Sequence, residues 1–143
     1  MSKLELTPSA RQQFALISDV LIPRALGMPA ASDVDIAGSM LDHVLKLRDD
    51  LVTDFMRAVS FENVDDAATA ERAAVVMNER DPKALTALGL VASAIYYMHL
   101  DVRKLLGYPG QESRPVLPDD EDDWQTDTLL NPVIKRGAIF RQV

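Results

Sequence analysis

The sequence predicts an all-α fold, a small helical bundle followed by an extended, proline-rich C-terminal arm. Three observations predict it. The apolar content of 48% is built with only 6% aromatic residues, so the core must come from Leu, Val, Ile, Ala and Met, a palette that favours helices. A capping residue is followed at once by proline at Thr7–Pro8 and again at Asp81–Pro82, the signature of a helix start. No stretch shows sustained apolar–polar alternation between turn signals, and no repeat of fixed length appears.

The first helix is expected in "TPSARQQFALISDVLIP". Thr7 can accept from an early backbone N–H, and Pro8 lacks only an N–H that would be orphaned there. Leu6 is placed to staple the entry, Phe14, Ile17 and Val20 or Leu21 recur at helical spacing, and Pro23 marks a stop. A loop follows from Gly27 to Ala31. Ser32 and Asp35 form a capping-box-like pair ahead of a stripe at Ile36, Met40, Val44, Leu47 and Leu51. Val52, Phe55, Met56 and Val59 continue it, on the same helix or after a bend near Asp49. The Ala-rich "AATAERAAVVMNER" is helical by propensity. After Asp81–Pro82 comes the most apolar run, expected as a central helix that Gly107 ends in a left-handed conformation. Gly89 and Ala92 would let a neighbouring backbone approach it. Because Ile95, Tyr96, Tyr97 and Met98 are consecutive, they cannot all face one side, and some must meet a second layer.

Composition changes at Tyr108. Half of the eight prolines lie beyond it, together with the acidic run "DDEDD" from Asp119. The domain reading is therefore a bundle over 1–107 and an arm over 108–143. Ordering that arm costs backbone entropy of about 1–2 kcal/mol per residue, which contacts with the bundle or with a partner must offset.

Bulk properties exclude several functions. A net charge of −7 is wrong for a phosphate-tracking surface, so nucleic acid is not an expected partner. The chain has no cysteine, hence no disulfide, thiolate metal site or cysteine nucleophile. No apolar run reaches the roughly 18 residues of a membrane-spanning helix. The start "MSKLELTPSARQQF" has no basic region followed by an apolar run, which points to a cytoplasmic chain, or a periplasmic one if a leader has been removed.

Chemistry-bearing motifs are scarce. His43 and His99 are distant in sequence and lack a ligand-spaced partner, which favours a structural role such as satisfying a helix end. "DDEDD" lacks the alternating ligands and turn glycine of a calcium loop. Neither GxGxxG, GxxxxGK nor a nucleophile elbow occurs. No catalytic, cofactor-binding or metal-binding residue is assigned, and a small hydrolase or isomerase using either histidine ranks below the binding readings. Trp124 serves equally as an anchor of the arm in the bundle or as an interface anchor.

Four segments, "LTPSARQQFALISDVLIP", "GMPAASDVDI", "HLDVRKLLGYPGQESRP" and "LLNPVIKRG", together resemble the gluconate 2-dehydrogenase subunit 3 family, the small helical subunits of flavin dehydrogenases of the glucose-methanol-choline (GMC) type. The most specific piece is "LGYPGQ", Leu106 to Gln111. The resemblance implies a non-catalytic small subunit that supports the folding, stability or export of a large subunit carrying FAD, in a complex oxidising a sugar, sugar acid or related alcohol. It implies no cofactor in this chain. Two departures stand out: the twin-arginine leader of some members is absent, and Leu100 stands where proline would follow the histidine, which would soften a kink there. The expected partner contacts are Tyr97, Tyr108, Pro109, Gln111, Arg114, Trp124, Arg136 and Phe140. The rival reading is a stand-alone helical binding module or a homo-oligomer.

Overall fold

The computed structural model describes residues 5–111 and 127–137. It is all-α, and its described helices are α1 (Pro8–Leu21), α2 (Ser39–Leu47), α3 (Asp49–Ala58), α4 (Ala67–Arg80), α5 (Pro82–Met98), α6 (Leu100–Leu105) and α7 (Asp127–Arg136), with a 3-10 turn at Ala31–Val34. The chain divides into two compact units, Met1–Gly110 and Gln111–Val143. Tyr108, Pro109 and Gly110 thus go with the bundle.

Each long helix starts where the sequence offers a cap. The Thr7 hydroxyl accepts from Ala10 N–H at 3.1 Å, Asp66 accepts from Thr69 N–H at 2.8 Å, and Asp81 accepts from Ala84 N–H at 3.2 Å. Such caps contribute about 1 kcal/mol by satisfying orphan donors. The expected box at Ser32 and Asp35 does not start a helix. Ser32 lies in the 3-10 turn with its N–H donating to Asp19, Asp35 adopts a left-handed φ of 51°, and α2 begins only at Ser39, after Gly38. The stripe shifts accordingly. Leu41, Val44 and Leu45 are buried, whereas Met40 and Leu47 are exposed. The bend near Asp49 is real: Arg48, at φ −119° and ψ 61°, separates α2 from α3.

Apolar on nearly every face, α5 is the centre, and it touches α1, α2, α3, α4 and α6. Its Leu88, Val91, Ala92 and Ile95 are buried with Phe14 and Ile17 of α1, Phe55 of α3 and Met77 of α4. Phe14 and Phe55 meet edge to face, ring centroids 5.2 Å apart. On α4 the buried positions Ala70, Ala73, Ala74 and Met77 fall at helical spacing, and three small residues let α1 approach closely. The buried Gln13 amide, turned with its nitrogen toward the end of α3, donates to the carbonyls of Val59 at 2.8 Å and Glu62 at 3.0 Å. Arg11 pins α1 to α2, donating to Ala37 O at 2.8 Å and gripping both oxygens of Asp42.

The second unit contains α7, where sequence reading expects an extended arm with little helical pattern. Pro132 sits inside that helix and hides it: Leu129, Leu130, Val133 and Ile134 are spaced for one helical face, but a proline normally ends such a reading. Val133 and Ile134 are exposed.

Candidate interaction surface

The expected single central helix is broken at its C-terminal end. His99 leaves helical geometry, at φ −67° and ψ 132°, and its Nδ1 accepts from Asp101 N–H at 3.3 Å, which caps a new helix, α6. No proline is needed for this break. The histidine itself supplies the cap, and Val102, fully buried, fixes α6 against the core. His43, by contrast, is exposed on α2.

From α6 the chain turns back on itself. Gly107, at φ 66°, donates its N–H to Lys104 O at 3.0 Å, and Tyr108 donates its N–H to Arg103 O at 2.9 Å. This pair of bonds is a Schellman cap, whose left-handed position suits glycine. Arg103 then reaches over the turn. Its guanidinium lies 5.5 Å from the Tyr108 ring centre, and one Nη donates to Pro109 O at 3.0 Å. Gly110 has φ 104°, and a Cβ there would run into that same guanidinium. The segment Gly107–Gly110 is thus a built turn, folded onto Arg103.

The consequence is an apolar, aromatic elbow. Tyr97, Met98, Leu100, Leu105, Leu106 and Tyr108, all within twelve consecutive residues, are exposed by about half or more of their surface. Leu26 is more extreme: it is wholly exposed, at φ 50°, on the loop after α1. Of the expected contact residues, Tyr97, Tyr108, Pro109 and Gln111 are exposed, and Arg136 is exposed on α7 of the second unit. Arg114, Trp124, Phe140 and the acidic run lie outside the described residues. Sequence reasoning missed Leu26 and Arg103. The first could have been found from "ALGM", a leucine placed before the glycine of a tight turn.

Electrostatics around the elbow are locally settled. Arg24 holds both oxygens of Asp33 at 2.7 Å, and Lys104 pairs with Asp101 at 3.3 Å. The Tyr96 hydroxyl, buried and donating to Pro29 O at 2.7 Å, has its pKa raised by that burial, with the nearby Tyr97 and Asp33 adding to it. A surface hollow of about 480 Å³ lies between the loop after α1 and α6, lined in part by Arg24, Met28, Pro29, His99, Asp101 and Leu105. Its polar groups are already engaged with one another, Arg24 with Asp33 and His99 Nδ1 with a backbone N–H, and they present no nucleophile beside a base. Among the described residues no three His, Cys, Asp or Glu side chains gather as metal ligands, and no helix is long and apolar enough to cross a membrane.

Fold and surface together define a small all-α chain whose outstanding feature is exposed apolar surface. No protein-family model, curated protein or solved structure matches the chain.

Proposed function

We propose that this chain is the non-catalytic small subunit of a GMC-type flavin-dependent oxidoreductase acting on a sugar, sugar acid or related alcohol. Its task is to dock on the large subunit and support that subunit's folding or stability, and the FAD and the reacting groups belong to the large subunit. One observation carries the reading. The segment with the most specific likeness, "LGYPGQ", contains the hydrogen-bonded turn over Gly107–Gly110 and leaves Leu106 and Tyr108 exposed, a few residues after the exposed Tyr97, Met98 and Leu100. Exposed aromatics held by a hydrogen-bonded turn suit interface anchors, because ordering them beforehand lowers the entropy lost on binding.

The test is co-expression with a flavin dehydrogenase from the same gene neighbourhood, followed by purification through a tag on this chain. Retention of FAD in constant ratio to the chain is expected, together with loss of retention in a Tyr97→Asp, Tyr108→Asp double variant. Purification of the chain free of flavoprotein would refute the proposal.

A further inference from the structure

The junction between α5 and α6 turns on one side-chain bond. His99 interrupts the helix at φ −67° and ψ 132°, and its ring Nδ1 accepts from Asp101 N–H at 3.3 Å. The first N–H groups of a helix have no partner within it, and among the described residues that of Asp101 has no other acceptor. The usual capping side chains, Ser, Thr and Asn, accept at any ordinary pH. An imidazole accepts only while neutral: it titrates near pH 6.5, and once protonated both of its nitrogens are donors. The ring is half-buried and lines the hollow between α6 and the loop after α1, so solvent protons reach it.

We infer that the α5–α6 junction is a pH-sensitive hinge, in which neutral His99 caps α6 and protonation of the ring releases the cap and loosens the first turn of that helix. Protonated Nδ1 meets the Asp101 N–H donor to donor. The new charge is unfavourable at the start of α6 but favoured by the end of α5, which the same residue closes. Of the charged groups that share the hollow with the ring, Arg24 and Asp33 come from the loop and 3-10 turn after α1, and Asp101 from α6. Each is engaged, Arg24 with Asp33 and Asp101 with Lys104, and from α5 the Tyr96 hydroxyl is held by Pro29 O. None of them accepts from Asp101 N–H, so the cap has no substitute when the ring is charged. Val102, fully buried, keeps α6 docked, which confines the change to the hinge and to Leu100 beside it, 65% exposed. No partner protein enters this device, and it is read from an amide of the chain itself.

Nuclear magnetic resonance of the full, isotopically labelled chain tests it, from about pH 8 to about pH 5.5, above the ordinary carboxylate range. Protection of the Asp101 amide from exchange, taken relative to an unstructured chain at the same pH, should fall about two- to tenfold as the His99 ring protonates, the equivalent of one hydrogen bond. Asparagine caps without titrating, so in His99→Asn the same protection should hold across the range. His43, exposed on α2, is the control, and His43→Gln should leave the transition in place. Nitrogen shifts of the neutral His99 ring should show its proton on Nε2, as an accepting Nδ1 demands. Constant protection in the wild type, a transition that survives in His99→Asn or vanishes in His43→Gln, or a neutral ring protonated on Nδ1 would each overturn the hinge.

Discussion

The Tyr96 hydroxyl donates to the carbonyl of Pro29 at 2.7 Å, joining residues 67 positions apart and fixing the loop after α1 to the end of α5. That carbonyl has no other described partner in the hydrogen-bond network, and the tyrosine is buried. Tyr96→Phe should therefore cost about 1–2 kcal/mol in denaturant unfolding, from one lost bond and one carbonyl left unmade. The pH dependence has a definite sign. Since the folded-state pKa of Tyr96 is raised, chiefly by burial, its contribution is complete below the ordinary tyrosine pKa of about 10 and is lost as pH rises through the raised value. Tyrosinate absorbance should show one late-titrating group that disappears in Tyr96→Phe. Identical titration curves for the two proteins would contradict this.

At the acid end, Asp81 is the group to watch. It caps α5 and also receives Arg57 Nε at 2.8 Å and Nη at 3.1 Å, so it ties the end of α3 to the start of α5. The bond from Arg57 is the main reason its pKa is lowered, and at the α4 cap the bonds from Thr69 lower that of Asp66. Carboxylates depressed on folding stabilise above their unfolded pKa of about 3.9, and this support is lost as pH falls through the lower folded values. Helix content should thus hold through mild acid and fall only below that range. In Asp81→Asn the stability at neutral pH should drop and its slope against pH in the acid range should flatten. An unchanged slope would show that the pair is screened away.

How far these features were legible depends on where their physics resides. The starts at Thr7 and Asp81 are local, since a side chain bonds an N–H three residues on, and the sequence shows both partners. The α5–α6 break was legible in part: a helix-end role was expected for His99, but that its ring would start a new helix depends on which ring nitrogen faces which N–H. Helix α7 was concealed by Pro132, and the delayed start of α2 by a plausible box at Ser32 and Asp35 whose residues go instead to the 3-10 turn. At the surface, Tyr97 and Tyr108 could be singled out as aromatics in excess. Arg103 could not, because its role is set by a turn that closes back upon it.

Gly89, in the middle of α5, offers a stabilising change. A Cβ there would meet Leu21 Cδ1 at 3.7 Å, ordinary van der Waals contact, and the backbone is helical. Gly89→Ala should raise stability by about 0.5–1 kcal/mol, through higher helix propensity and a less flexible unfolded chain. The expected reading is a higher denaturant midpoint at unchanged slope. A lower midpoint would mean that α1 packs on α5 more tightly than this geometry indicates.

Gly110 should behave in the opposite way, and locally. Its φ of 104° is closed to alanine, and the added Cβ would displace the Arg103 guanidinium from Pro109 O and from the face of Tyr108. Neither group belongs to the packed core, so global unfolding should move little, while the Schellman turn loses the clamp that closes it. Amide exchange at Gly107 and Tyr108 should accelerate in Gly110→Ala, with exchange in α1 and α3 unaltered. If the elbow is the docking surface proposed above, retention of the flavoprotein should also weaken, because the same aromatic contacts must then be ordered at the moment of binding. Faster exchange with undiminished retention would separate the two ideas, leaving the clamp intact as structure and removing Tyr108 from the interface.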